Sequence, residues 1–225
     1  MNCEQTKTAV PYPLFIRLEG QDIVVVGAGA VAARKVKTLL DYGAHVLVIA
    51  PQACSDLIAL ADEGCIVWRR REYREGDLEG SLLCVVATGL REVDESVYRE
   101  ARAAHIPVNV VDVPELCTFI VPSIMRRGQL QVAVSTNGAA PGVSRTIRQE
   151  LEGRFGDWWT EYIDCLAEVR SLVKERIAGP ARVRTPIFEA LGSACLEDRF
   201  AAGEHPSAEA VYEEIVVPLL EEARS

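Results

Sequence analysis

Several sequence features are missing from the chain, and each missing feature excludes a class of protein. No apolar run reaches the roughly 18 residues that a membrane-spanning helix needs, and the N-terminus has no basic-then-apolar signal peptide. The cysteines include no C-x-x-C pair, and the histidines show no ligand spacing, which disfavours a zinc site and a disulfide framework. We therefore expect a cytoplasmic protein with no membrane partner and no metal-binding residues.

Positive charge is scarce as well. The chain has 24 Lys and Arg against 33 Asp and Glu, a formal net charge of −9. Phosphate backbones attract clustered cations, so we do not expect nucleic acid as a partner. Residues 116–149 have the opposite charge, because they contain arginines but no Asp or Glu. An acidic small molecule is therefore a candidate ligand for that stretch.

The chain does contain regular alternation of short β-rich runs with helical stretches between residues 12 and 112. The predicted strands are 23–26, 45–49, 65–68, 82–87 and 108–111. This alternation predicts an α/β fold, a Rossmann-type parallel sheet with helices on both faces.

The pattern changes after Pro114. The runs "FIVPSI" and "QLQVAVST" predict two strands joined by a turn at residues 126–129, and the chain is helical from Pro141 onward. Two strands cannot bury their own faces, so we expect them to pack against a second chain. The predicted parts are a Rossmann domain at 1–113, a small β dimerisation region at 114–149 and a helical C-terminal domain at 150–225.

The stretch "IVVVGAGAVAARK" predicts a strand, a tight turn and a helix in that order. Gly27 allows the turn, and Gly29 lets the backbone approach a pyrophosphate. The helix start at Ala30 and Val31 then presents free N–H groups to the phosphates. A plain tight turn in an α/β core is the alternative, but the context favours a dinucleotide site.

The second strand ends at "IAPQ", where an Asp or Glu usually holds the adenosine ribose. Pro51 and Gln52 stand there instead, so we expect backbone atoms beside them to hold the adenosine. No arginine lies between Lys37 and Arg69 to accept the 2′-phosphate of NADP.

Four separated motifs resemble one family. They are the P-L-F start, G-A-G-x-V-A-x-R-K, N-V-V-D-x-P and A-V-S-T-N-G-x-x-P, and together they span residues 12 to 152. In this order they resemble the precorrin-2 dehydrogenase and sirohydrochlorin ferrochelatase family, which includes the N-terminal module of bacterial sirohaem synthase. The resemblance implies a homodimer that binds NAD and oxidises precorrin-2 to sirohydrochlorin. It also implies Fe²⁺ as a chelatase substrate.

Asp112 ends the run "VNVVD" and matches the aspartate that the family uses as its proposed general base. Oxidation of precorrin-2 releases a hydride and a proton, and iron insertion releases pyrrole protons, so a base is required. The alternative is an Asp that caps the following turn. Thr88 matches the A-T step that lines the NAD site in the family, and it is equally well explained as a turn hydroxyl.

The tetrapyrrole carries acetate and propionate groups, which arginine binds in a bidentate manner. Arg145 and Arg148 lie one helical turn apart and are the preferred candidates, whereas Arg126 and Arg127 fit a solvated turn. The remaining candidates, from the family loop and the helix start after it, are Ser135, Thr136, Asn137 and Gly138. No His or acid stands at triad spacing from the two hydroxyls, so we expect them near substrate and not as nucleophiles.

Two alternatives stay open from the sequence. The first is a dehydrogenase without chelatase activity, because Asp112 could serve either step. The second is a non-catalytic nucleotide-sensing Rossmann module, which explains the glycine motif but gives no purpose to Asp112 or to the acid-free segment.

Overall fold

The computed structural model describes residues 10–222, and the chain divides between Val121 and Pro122 into two compact units. The strands of unit 1 are β1 (Asp22–Val26), β2 (His45–Ile49), β3 (Val67–Arg69), β4 (Leu83–Val86) and β5 (Val108–Val110). Its helices are α1 (Ala30–Asp41), α2 (Ser55–Asp62), α3 (Arg91–Ala103) and a short 3-10 helix at Pro114–Leu116.

The five strands of unit 1 are parallel, in the order β3-β2-β1-β4-β5. Val26 at the end of β1 is in register with Ile49 of β2 and Val86 of β4, so these strands end at one edge. The order reverses between β1 and β4, and open α/β sheets bind ligands at the carboxyl ends of such strands. The predicted Rossmann-type fold is confirmed.

Two apolar layers cover the sheet, because successive strand residues face opposite sides. One layer packs Ile23 and Val25 of β1 with Val36 of α1. The other packs Val24 of β1 with Val97 of α3. Helices on both faces thus hold the strand ends, and the loops that follow them, in fixed positions.

The boundary between the two units follows Val121, later in the chain than residue 113, where the sequence predicted the end of the Rossmann domain. Thr118 donates its backbone N–H to Val108 O at 2.8 Å, and its hydroxyl accepts from Val108 N–H at 2.8 Å. The side-chain amide of Asn109 donates to Phe119 O at 3.1 Å. Because these bonds fasten the chain after β5 back onto β5, the residues up to Val121 belong to unit 1.

Unit 2 contains a hairpin and a set of helices. Its elements are β6 (Ser123–Arg127), β7 (Leu130–Val134), α4 (Pro141–Arg154), α5 (Trp159–Arg176), α6 (Ala181–Ser193), α7 (Leu196–Ala201), α8 (Ala208–Val211), a π-helical turn at Tyr212–Val216 and α9 (Val217–Glu222). The boundary predicted after residue 149 falls inside α4, because that helix continues to Arg154. The separate roles predicted for the three regions stay predictions.

The hairpin is confirmed with corrected bounds. Arg127 of β6 pairs with Leu130 of β7, so the loop is only Gly128 and Gln129, and the arginines predicted in the turn lie in the strand. Gly128 has φ +55°, the left-handed geometry that a two-residue hairpin loop requires. Phe119, predicted in the first strand, lies outside it because its carbonyl bonds to Asn109.

Helix α5 buries one stripe of side chains. Tyr162, Cys165, Val169 and Val173 are buried among residues of the later helices. Within residues 10–222 no helix combines the length and apolar character needed to cross a membrane.

Candidate active site

The turn after β1 requires glycine at its first position. Gly27 has φ +101°, and its N–H donates to Ile49 O at 2.9 Å. A Cβ atom at this position would lie 2.4 Å from Ala87 O, backbone of the loop after β4. Gly27 therefore lets the loops after β1 and β4 meet at the point where the strand order reverses.

Gly29, two residues later, is open to solvent. It is the N-cap of α1, and no atom lies within 4 Å of the position that a Cβ would take. Ala30 and Val31 are also exposed, and the first bond of α1 runs from Ala33 N–H to Gly29 O at 3.0 Å. The preceding N–H groups have no partner within the helix, so this end can receive a pyrophosphate.

Pro51 and Gln52 are exposed in the loop after β2. Cys54 N–H in the same loop donates to Ala28 O at 2.9 Å, which joins this loop to the glycine turn. The first acid after β2 is Asp56, which lies on α2 and pairs with Lys37 at 2.5 Å. That hydrogen bond is the main reason why the pKa of Asp56 is lowered, and it engages the carboxylate with Lys37.

Thr88 follows β4, where its backbone borders Gly27. Its hydroxyl donates to Asp94 at 2.5 Å and accepts from Leu90 N–H at 2.9 Å. The side chain thus fastens the loop to the start of α3, which is the turn role given as its alternative. A part for Thr88 in the NAD site stays a prediction and rests on its backbone.

Asp112 lies in a turn and not in the strand, since β5 ends at Val110. Val113 N–H donates to Val110 O at 3.3 Å, and Asp112 at the third position of this turn has φ +61°. Its side chain is exposed and accepts no hydrogen bond from any residue in the range 10–222. The turn-capping alternative requires such a bond, so the carboxylate is available for other chemistry.

Lys35 on α1 is an additional charged residue near Asp112. Burial is the main cause that lowers the pKa of its ammonium group, Arg34 lowers it further, and the Asp112 carboxylate raises it. Its place in the G-A-G-x-V-A-x-R-K motif was visible in the sequence. Its electrostatic interaction with Asp112 was not, because α1 and the loop after β5 are far apart in the chain.

In unit 2, the loop between β7 and α4 is a defined turn. Ala139 N–H donates to Thr136 O at 3.0 Å, while Asn137 and Gly138 have φ values of +53° and +77°. The Ser135 hydroxyl accepts from Asn137 N–H at 3.1 Å, and the Thr136 hydroxyl accepts from Ala140 N–H at 3.1 Å. The predicted substrate-binding residues 135–138 therefore lie together in one hydrogen-bonded turn.

The two arginines of α4 differ in their surroundings. Arg148 is half-buried and pairs with Glu152, which lies just beyond the acid-free stretch. Arg145 is exposed and has no carboxylate partner within the described residues. Arg127, by contrast, bonds Phe155 O at 2.9 Å and has a structural role. Arg145 is therefore the cation of this set that is free for a ligand.

The structure also bears on a metal site and on a cleft away from the glycine turn. In the part of the chain that the structure describes, no three His, Cys, Asp or Glu side chains form a group that could hold a metal ion. A cleft of about 590 Å³ is lined by Asp22 and His45, which begin β1 and β2. These residues stand at the opposite edge of the sheet from the glycine turn.

The fold and the glycine turn define unit 1 as a Rossmann-class dinucleotide-binding unit. Residues 14–123 match the family described as "Putative NAD(P)-binding", and residues 127–154 match the family described as "Sirohaem biosynthesis protein central". The chain belongs to the precorrin-2 dehydrogenase and sirohydrochlorin ferrochelatase family that its motifs predict.

Individual relatives agree with this assignment. Siroheme synthase 3 of Aeromonas hydrophila is 38% identical over 87% of this chain and 42% of its own length. Siroheme synthase of Methylobacillus flagellatus is 36% identical over 91% of this chain and 44% of its own length. The chain thus spans less than half of these relatives. A solved structure, SirC, precorrin-2 dehydrogenase, is 26% identical with a TM-score of 0.67, over 84% of this chain and 91% of that chain.

Proposed function

We propose that this protein oxidises precorrin-2 to sirohydrochlorin with NAD as the hydride acceptor, a step of sirohaem biosynthesis. One observation carries the proposal: the Asp112 carboxylate, which has no hydrogen-bond partner among residues 10–222, follows β5 at the edge of the sheet that also holds an open glycine turn. Family membership supports the substrate class, and the name of the SirC neighbour states that reaction for that protein.

The glycine turn fits the pyrophosphate of NAD, because Gly29 leaves space above the N-terminus of α1. Pro51 and Gln52 would lie beside the adenosine, and the backbone of Thr88 would line the site. When bound, NAD supplies the acceptor for the hydride. Asp112 takes the proton that leaves the macrocycle, and because no residue in the described range 10–222 bonds its side chain, its oxygens are available for that transfer.

For the tetrapyrrole we propose contacts on unit 2. Arg145 would bind an acetate or propionate, since it is exposed and has no carboxylate partner within the described chain. Arg148 would contribute only by exchanging its bond to Glu152 for a substrate carboxylate. The turn of Ser135, Thr136, Asn137 and Gly138 presents backbone groups and hydroxyls close to the start of α4.

We extend the proposal to insertion of Fe²⁺ into sirohydrochlorin, because several relatives bear the name siroheme synthase. Here Fe²⁺ is a substrate, and the four nitrogens of the macrocycle supply its ligands. Asp112 would accept the pyrrole protons. Iron insertion that proceeds without NAD would support this second activity, and its absence would leave a dehydrogenase alone.

We further propose a homodimer built on residues 114–149 and a cytoplasmic location. The two-stranded sheet of β6 and β7 is too small to cover its own faces, and α4 exposes Val143 and Ile147. The six described cysteines are free thiols, which suits a reducing compartment.

The test mixes purified protein with precorrin-2 and NAD and follows the absorbance of NADH and of sirohydrochlorin. We expect both products to rise in equal amounts, and no NADH to form when precorrin-2 is omitted. A protein that binds NAD but forms neither product would favour the nucleotide-sensing alternative instead.

A further inference from the structure

Arg70 stands beside the expected adenosine position, although it is distant from that position in sequence. Strand β3 pairs with β2, with Arg69 in register with Ile49, and Ala50 N–H donates to Arg69 O at 3.3 Å. Arg70 therefore follows β3 at the level where Ala50 follows β2. The next residues after Ala50 are Pro51 and Gln52, where the ribose-binding acid is missing.

Three consecutive arginines stand at the end of β3 and directly after it, and two of them share one carboxylate. Arg69 and Arg71 both bond Asp77, at 3.2 Å and 2.6 Å. Asp77 is buried, so this ion pair is fixed in the structure. Arg71 N–H donates to Arg69 O at 2.9 Å, so the chain turns at Arg70, and the Arg70 side chain does not join the Asp77 ion pair.

Arg70 is held on an aromatic surface. Its guanidinium carbon lies 4.4 Å from the centroid of the Trp68 ring, and the Trp68 indole N–H donates to Ala50 O at 2.9 Å. Arg70 is exposed and has no carboxylate partner in residues 10–222. Stacking leaves the N–H groups at the edge of the guanidinium free to bind an anion.

Arg70 and the missing acid after β2 both bear on which dinucleotide the site can bind. An acid after β2 binds the 2′-hydroxyl of NAD, whereas an arginine nearby accommodates the 2′-phosphate of NADP. Here the acid is missing, and the pairing of β3 with β2 brings to the same place an arginine that has no carboxylate partner among the described residues. We propose that Arg70 binds the adenosine end of the dinucleotide, so that the site accepts NADP as well as NAD. This proposal rests on the dinucleotide site of the proposed function.

The test measures the dissociation constants of NAD and NADP by calorimetry for the wild type, Arg70→Ala, Arg70→Glu and the control Arg102→Ala. Arg102 is an exposed arginine in the last turn of α3, at the amino edge of the sheet. In the wild type we expect NADP to bind within about tenfold of NAD. Loss of the charge-assisted bond in Arg70→Ala should weaken NADP by about tenfold or more, and NAD by less than about threefold. Arg70→Glu should weaken NADP further, and Arg102→Ala should change neither constant.

The outcomes separate the two proposals. If wild-type protein binds NAD but the ratio of the NADP and NAD constants is the same in Arg70→Ala, the role of Arg70 is wrong and the proposed function stands. If wild-type protein binds neither nucleotide, both fall. Circular dichroism of each variant checks that the fold is retained, which the exposed position of Arg70 predicts.

Discussion

At the scale of single residues, the backbone at Asp112 is informative because a left-handed conformation favours glycine and, among other residues, asparagine and aspartate. A non-glycine residue in that region costs on the order of 1 kcal/mol or more. The carboxylate recovers none of this cost through a hydrogen bond to residues 10–222. The Asp112 side chain therefore does not stabilise its own turn through a hydrogen bond to the described residues, which leaves the proposed proton transfer as its role.

A substitution series at Asp112 tests this interpretation through stability. We expect Asp112→Gly and Asp112→Asn to unfold within about 1 kcal/mol of the wild type, because both residues tolerate positive φ. Asp112→Ala should lose about 1 kcal/mol more than Asp112→Asn, since Ala lacks that tolerance. Urea unfolding gives the three values. A loss of more than about 2 kcal/mol in Asp112→Asn would instead indicate a structural bond, and would return the residue to turn capping.

At the scale of the element, the β1–α1 turn contains two glycines with different tasks. Gly27 is required by the backbone of Ala87, whereas Gly29 faces open space, where we propose that the pyrophosphate binds. The motif in the sequence predicts both glycines, but only the structure shows what each would meet. The two positions therefore form a matched pair for mutation to alanine.

Gly27→Ala should destabilise the protein by about 2 kcal/mol or more, because its Cβ would overlap Ala87 O and its φ is positive. Gly29→Ala should keep stability within about 1 kcal/mol, since its φ is −81° and its Cβ would meet open space. It should nevertheless weaken NAD binding by about tenfold or more, because the methyl group occupies the space for the pyrophosphate. Thermal unfolding and calorimetry separate the effects, and equal losses of stability in both variants would contradict the assignment.

Elements with strong periodicity were predictable, and contacts between distant elements were not. The five strands and α1 follow from the alternation and the glycine motif in the sequence. The sequence predicted a turn at residues 126–129, but β6 continues to Arg127, because the two-residue loop needs only Gly128 and Gln129. Lys35 and Arg70 were missed as neighbours of the site, since their places depend on which elements lie side by side in unit 1.

At the scale of the whole molecule, the described chain leaves apolar side chains exposed. Tyr12 and Phe15 in unit 1, and Val143 and Ile147 in unit 2, are all exposed. Together with a two-stranded sheet that has two free edges, they indicate surfaces that a second copy would cover. The proposed dimer gives this exposure a reason.

We expect light scattering at micromolar concentration to give twice the 24.6 kDa mass of one chain. Ile147→Asp should reduce that mass toward the monomer, because a charge would have to be buried in the interface. Ile58→Asp is the matched control, since Ile58 on α2 is 37% exposed and Ile147 is 38% exposed. A monomeric wild type, or equal dissociation in both variants, would remove residues 114–149 as the dimerisation region.

The proposed dehydrogenase function depends on proton transfer by Asp112. Asp112→Asn keeps the size and the backbone conformation of the residue but removes its basic oxygen. General-base catalysis contributes about 10²–10⁴-fold, so dehydrogenase turnover should fall by at least about tenfold while NAD affinity and dimerisation are retained.

The most direct measurement is therefore the rate of NADH formation from precorrin-2 by folded, NAD-binding Asp112→Asn protein beside the wild type. We expect that rate to fall by about tenfold or more. Wild-type turnover in that variant would contradict the proposed role of Asp112.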